Sequence, residues 1–122
     1  MRRLALAAAL IAATPALAHH GTAQYDFTRD VTLTGTVKAY DFMSPHIWLT
    51  LEAPRAGRAA DWSLEGPPPA YAIPRGWKAD SLKPGQTVTV VMSPLRDGSA
   101  GGIILTVAEP GGKVLLERGR RY

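Results

Sequence analysis

Val31-Thr32-Leu33-Thr34-Gly35-Thr36-Val37-Lys38-Ala39 is the stretch on which the fold turns. Val31, Leu33, Gly35, Val37 and Ala39 alternate with Thr32, Thr34, Thr36 and Lys38. Successive side chains of a strand point to opposite faces. Strict alternation with β-branched residues therefore predicts a strand with one face buried and one wet. Gly35 in its middle predicts a bulge, or a bend of the kind small barrels use where a strand rounds a corner.

Downstream the same pattern recurs. Asp41 to Pro45 is a short connection, after which Ile47, Leu49 and Leu51 alternate with His46, Trp48, Thr50 and Glu52. Ala53 to Ala60, with Pro54 and Gly57, reads as a hairpin loop. Trp62 and Leu64 between Asp61, Ser63 and Glu65 predict a third strand. Residues 66–85 break the pattern with Pro67, Pro68, Pro69, Pro74 and Pro84. Proline suits the first turn of a helix, so a short helix can begin in the proline run, and Pro74 ends it. Ile73, Trp77 and Leu82 are expected to plug one end of the core.

Val88, Val90 and Met92 alternate with Thr87, Thr89 and Val91 to give a fourth strand. Pro94 to Gly102 reads as a flexible glycine-rich loop, Ile103, Leu105 and Val107 as a fifth strand, and Val114-Leu115-Leu116 as a last one. Three strands, a proline-rich connection and two or three further strands predict an all-β fold. The expected architecture is a small OB-like barrel of five to six strands with a short helical connection after the third; a small sandwich is the alternative. Its expected core is Val31, Leu33, Val37, Ile47, Leu49, Leu51, Trp62, Leu64, Val88, Val90, Ile103 and Leu105.

Upstream, Arg2 and Arg3 precede the apolar run Leu4–Ala13 and the small-residue box Ala16-Leu17-Ala18. These are the three parts of a secretory signal. The run is interrupted by Pro15 and is too short to span a bilayer, which takes about 20 apolar residues. Residues 1–18 are thus expected to be removed between Ala18 and His19, leaving a periplasmic or secreted protein. Residues 19–122 are expected to form a single barrel domain, with 19–29 as an N-terminal arm and 118–122 as a basic tail.

The chain has no cysteine, which excludes disulfides, thiolate metal sites and a cysteine nucleophile. Its net charge of +4 falls to +2 without Arg2 and Arg3, and to −1 once Arg118, Arg120 and Arg121 are also set aside. The basic character therefore sits at the two ends. A nucleic-acid partner needs clustered Lys and Arg to displace counterions from phosphates, and the body has no such cluster. The expected partner is an envelope component or a small ligand. The serines sit in no nucleophile-elbow pattern. Asp26, Asp30 and Asp41 suit turn capping.

The candidate site is built from the three histidines, His19, His20 and His46. Cleavage after Ala18 would leave a free α-amine beside two imidazoles. His46 and Trp48 occupy the outward face of the second strand. If strands two and three form a hairpin, strand parity sets Glu65 directly across from His46 or Trp48. Glu65 can then orient the His46 ring by accepting its second N–H, as carboxylates do around metal sites. Imidazole ligands suit copper and zinc. The His19 amine and ring with His46 would make a histidine-brace copper site, and His20 offers a competing chelate. Exposed N-terminal histidines and a loop-capping His46 are the plainer alternative.

His19-His20-Gly21, Leu33-Thr34-Gly35-Thr36-Val37, Ser44-Pro45-His46-Ile47-Trp48-Leu49 and Trp62-Ser63-Leu64-Glu65-Gly66 follow one another along the chain. Arg75-Gly76-Trp77, Leu82-Lys83-Pro84-Gly85-Gln86-Thr87-Val88 and Pro94-Leu95-Arg96-Asp97-Gly98 complete the series. In this order the motifs resemble a bacterial family of exported proteins, the domain-of-unknown-function family numbered 6152. Ser44 stands where asparagine is usual there, and Gln86 where aspartate is usual. The resemblance implies an envelope location and no established activity. The favoured function is a non-enzymatic binding or interaction module. A copper-binding protein using His19 and His46 is the first rival. A brace-type copper oxygenase is the second, disfavoured because the chain lacks the long insertions that build substrate surfaces on such enzymes.

Overall fold

The structure, a computed structural model, describes residues 21–117, without the side chains of residues 115–117. The expected signal segment, His19, His20 and the basic tail lie outside the described residues. Among the described residues there are six strands: β1 Val31–Asp41, β2 Trp48–Arg55, β3 Arg58–Glu65, β4 Thr87–Pro94, β5 Gly101–Ala108 and β6 Val114–Glu117. A short helix, α1 Pro69–Ala72, continues into a 3-10 turn at Ile73–Arg75. The sheet runs β3-β2-β1-β4-β5 with antiparallel neighbours, and β3 closes on β5 in parallel. The result is the expected OB-like closed barrel of five strands with one short helix after β3. β6 pairs with β5 at Thr106–Ala108, past the Gly101–Ile103 stretch that β3 occupies. Among the described residues no helix is long and apolar enough to cross a membrane.

β1 serves two partners in turn. Its residues 31–36 pair with β4 and its residues 36–41 with β2. Gly35 stands at this change of partner, where a Cβ would lie 2.2 Å from the Glu52 carbonyl oxygen. Its lack of a side chain permits the close crossing. The bulge itself falls at Lys38, between Val37 and Ala39, not at Gly35.

The β2–β3 connection is tighter than the sequence suggests. Ala56 and Gly57, at φ 50° and 78°, make a two-residue turn, and the strands run up to it on both sides. Both positive φ values match the turn whose twist suits a hairpin. Pro54 is tolerated in β2 because it lies beyond Glu52, the last β2 residue with a β1 partner, so its missing N–H breaks no ladder there.

The core gathers Leu33, Val37, Ile47, Leu49, Leu51, Leu64, Val88, Val90, Met92, Ile104 and Val107, closed at one end by Ala72, Trp77 and Leu82. Burying each leucine contributes about 1.5–3 kcal/mol. Val31 and Trp62 pack against this cluster only partly buried. Ile73 is 58% exposed, because Ala72 takes the inward position of the helical turn. Successive helical residues point about 100° apart, so both cannot face in.

β5 departs most from expectation. Gly101 and Gly102 belong to the strand, not to a flexible loop, and pair with Ser63 and Leu64. A Cβ on Gly101 would meet the Ser63 oxygen at 2.9 Å, and one on Gly102 the Met92 sulfur at 2.4 Å. Val91 then faces Thr106 while Met92 faces Ile104, so Leu105 is the extra residue of a bulge. The slip moves Ile104 into the core. Ile103 is buried too, but on the other side of the wall.

Candidate functional site

Four strands contribute to one row on the outer wall. Trp48 on β2 faces Glu65 on β3, Glu65 faces Ile103 on β5, and Ile103 faces Ser93 on β4. Glu65 and Ser93 are 8% and 1% exposed, and they are the buried polar residues among those described. A buried carboxylate is costly unless its oxygens find partners. Both oxygens of Glu65 do. Tyr25 Oη donates to Oε2, and His46 Nδ1 lies 2.6 Å from Oε1.

Tyr25 reaches this place because the arm is stitched to the barrel. A 3-10 turn at Thr22–Gln24 leads into Tyr25, which bridges Leu95. Asp26 N–H donates to the Pro94 carbonyl at 2.8 Å, and Arg96 N–H to the Gln24 carbonyl at 2.9 Å. The Arg96 guanidinium adds a bond to the Ala23 carbonyl at 3.2 Å. Asp26 closes the turn beyond by accepting from the Thr28 hydroxyl and N–H. Those two bonds hold its carboxyl below the usual aspartate range. Tyr25 itself is 3% exposed.

His46 is held from the other side. Ile47 is buried in the core, donates to the Pro67 carbonyl at 3.1 Å and accepts from Gly66 N–H at 2.7 Å. The β2–β3 ladder therefore continues one pair beyond Trp48, and alternation turns His46 outward. Its side chain stays 39% exposed. With Nδ1–H donating to Glu65, the neutral ring keeps its lone pair on Nε2, where it can accept a proton, a hydrogen bond or a metal.

The structure thus brings His46, Glu65 and Trp48 together. It adds Tyr25, which the sequence reading leaves in the arm without a role. The one signal for it was the apolar spacing of Tyr25 and Phe27, whose rings meet edge to face at 6.2 Å. His19 and His20 lie outside the described residues. Among the described residues no group of three or more His, Cys, Asp or Glu side chains can hold a metal, so a metal on His46 needs donors of another kind or from elsewhere. Asp26 acts as a turn cap, and Asp97 likewise accepts from Ser99. The groove lined by Gln86, Thr87, Val88, Glu109 and Pro110 contains none of the expected site residues.

Fold and site together define a closed OB-like barrel whose outer wall carries an arm-covered carboxylate beneath a half-exposed histidine. The chain belongs to the family of unknown function DUF6152, whose profile matches residues 7–105. That span contains Tyr25, His46, Trp48 and Glu65 and ends within β5. No functionally curated protein matches the chain.

Proposed function

We propose that this protein is an exported, non-enzymatic binding module of the cell envelope, and that it binds copper. The ligands are His46 Nε2 with the α-amine and ring of His19, freed by cleavage after Ala18. The observation that carries this reading is the His46–Glu65 contact at 2.6 Å. Metal-ligating histidines generally give their other ring N–H to a carboxylate or carbonyl, which fixes the ring and raises its basicity. Here the carboxylate is buried and is itself fixed by Tyr25. Tyr25 also supports the part given to His19. Five residues lie between the two, and the six steps from one to the other span at most about 20 Å. The arm is already anchored on the wall below His46.

Cu(II) titration by calorimetry and electron paramagnetic resonance tests the proposal on four proteins: the processed chain, His46→Ala, His20→Ala and a chain with one residue added before His19. Binding should weaken strongly in His46→Ala and in the extended chain, and persist in His20→Ala. It should also weaken on acidification, because protonated imidazole cannot ligate. Unchanged affinity in His46→Ala would leave only a local chelate at the chain end and sink the reading.

A further inference from the structure

Three side chains around the start of β2 are exposed although two of them are large and apolar. Met43 is 54% exposed and Trp48 38%, and the His46 side chain between them is 39% exposed. Their neighbours show that the wall offers burial here: Ile47 and Leu49 are 1% exposed, and Phe42 packs against the core. We propose that Met43 Sδ and His46 Nε2 form a second-function site for a soft monovalent ion, Cu(I) or Ag(I), with the Trp48 indole face beside it.

The chemistry follows from the donor types. Thioether sulfur selects Cu(I) over harder ions, and imidazole binds copper in either state. A cation close to an indole face is also attracted by the ring quadrupole, and tryptophan is the best of the aromatic partners. The placement follows from the chain. Three residues set the Met43 and His46 Cα atoms no more than about 11 Å apart, a gap the two side chains reach across together. Trp48 faces Glu65, the same carboxylate that receives His46 Nδ1–H. Imidazole and indole therefore stand beside one carboxylate, and the imidazole keeps Nε2 for the ion.

The inference rests on His46 as the ligand of the proposed copper site, but it needs neither His19 nor a free chain end. The two readings separate experimentally. Cu(I) affinity is measured under reductant by competition with a chromogenic chelator, and Ag(I) is titrated while tryptophan emission is followed. The proteins are the processed chain beginning at His19 and, in that chain, Met43→Leu, His46→Ala, Trp48→Phe and the double variant His19→Ala/His20→Ala. The double variant should lose Cu(II) binding and keep Cu(I) and Ag(I). Met43→Leu should do the reverse, weakening Cu(I) by roughly tenfold or more, the scale on which even supporting groups act at metal sites. Trp48→Phe should remove the emission change on Ag(I) addition. Met43 is exposed, so its exchange for leucine leaves the fold intact and the result readable. Cu(I) affinity in Met43→Leu within about twofold of the parent, well under 1 kcal/mol, overturns the site. So does an emission change that survives in Trp48→Phe. If Cu(II) binding ignores His19 while Cu(I) binding depends on Met43, the amine-based reading fails and this one stands.

Discussion

The two faces of the β2–β3 hairpin are one residue apart and follow different rules. The inner face carries Leu49 and Leu64, which are 1% and 0% exposed and lie in the main core. The outer face carries Trp48 and Glu65, opposite each other in the same ladder. Any barrel of this size needs the first pair, because apolar burial is what closes it. The second pair is not needed for closure. A carboxylate on the outside of a barrel is ordinarily left in water, yet here an added arm covers it and a tyrosine and a histidine occupy it. The inner face closes the barrel, and the outer face holds the residues for which copper binding is proposed.

Breaking the inner face should give the largest effect. Leu49→Ala and Leu64→Ala should each cost about 2–5 kcal/mol, out of a total that is about 5–15 kcal/mol for a domain. Thermal melting checks this, and an unmoved midpoint in both would mean that the inner face is misassigned. Breaking the outer face should cost less stability but more binding. Tyr25→Phe removes a hydrogen bond to a charged group, a loss of about 1.5–3 kcal/mol. Glu65→Gln should lower copper affinity by about 10–100-fold while leaving the barrel folded by circular dichroism. Should Glu65→Gln bind copper as the parent does, the carboxylate is only structural and the contrast between the faces loses its functional side.

The wet part of the wall supplies the control. Lys38 pairs there with Asp61 at 3.0 Å and Glu52 at 3.7 Å, all well exposed. Exposed pairs contribute little, so Lys38→Ala should shift neither the melting midpoint nor copper binding measurably. The smallest effect is on the arm and depends on pH. The Asp26 carboxyl is held below 3.8 by its bonds to Thr28. A depressed acid stabilises the folded form above its unfolded value, and that contribution is lost as pH falls through the folded one. Amide exchange at Asp26 and Arg96 should therefore quicken only below about pH 3.8, before the barrel amides change. Simultaneous exchange of arm and barrel would show the arm to be part of the core.

Much of this contrast was legible in the residues. β1 to β4 alternate, apart from the bulge at Lys38, because each has one face against the core, so Leu49 and Leu64 fall inward and parity sets Glu65 opposite His46 or Trp48, of which the observed register takes Trp48. β5 was not legible in this way. It is buried on both faces from Gly101 to Leu105, and a bulge shifts its phase. Alternation carries no information where both sides are apolar. Pro54 disguised a strand as a loop, because its tolerance depends on where β1 stops pairing. Tyr25 could not be placed at all. It is buried against Glu65 and Leu95, far along the chain, and no local pattern encodes such a meeting.

The parallel seam between β3 and β5 also governs the order of events in time. A chain interrupted before Gly101 holds β1 to β4 as a curled, open sheet with β3 and β4 as bare edges. Such edges invite pairing with other chains. Closure waits for Gly101–Ile103 to be made. Contacts between positions so distant in sequence slow the search for the native state. A cell making this protein therefore handles an unclosed sheet until β5 has been made, and the two glycines that open β5 set the moment at which that exposure ends.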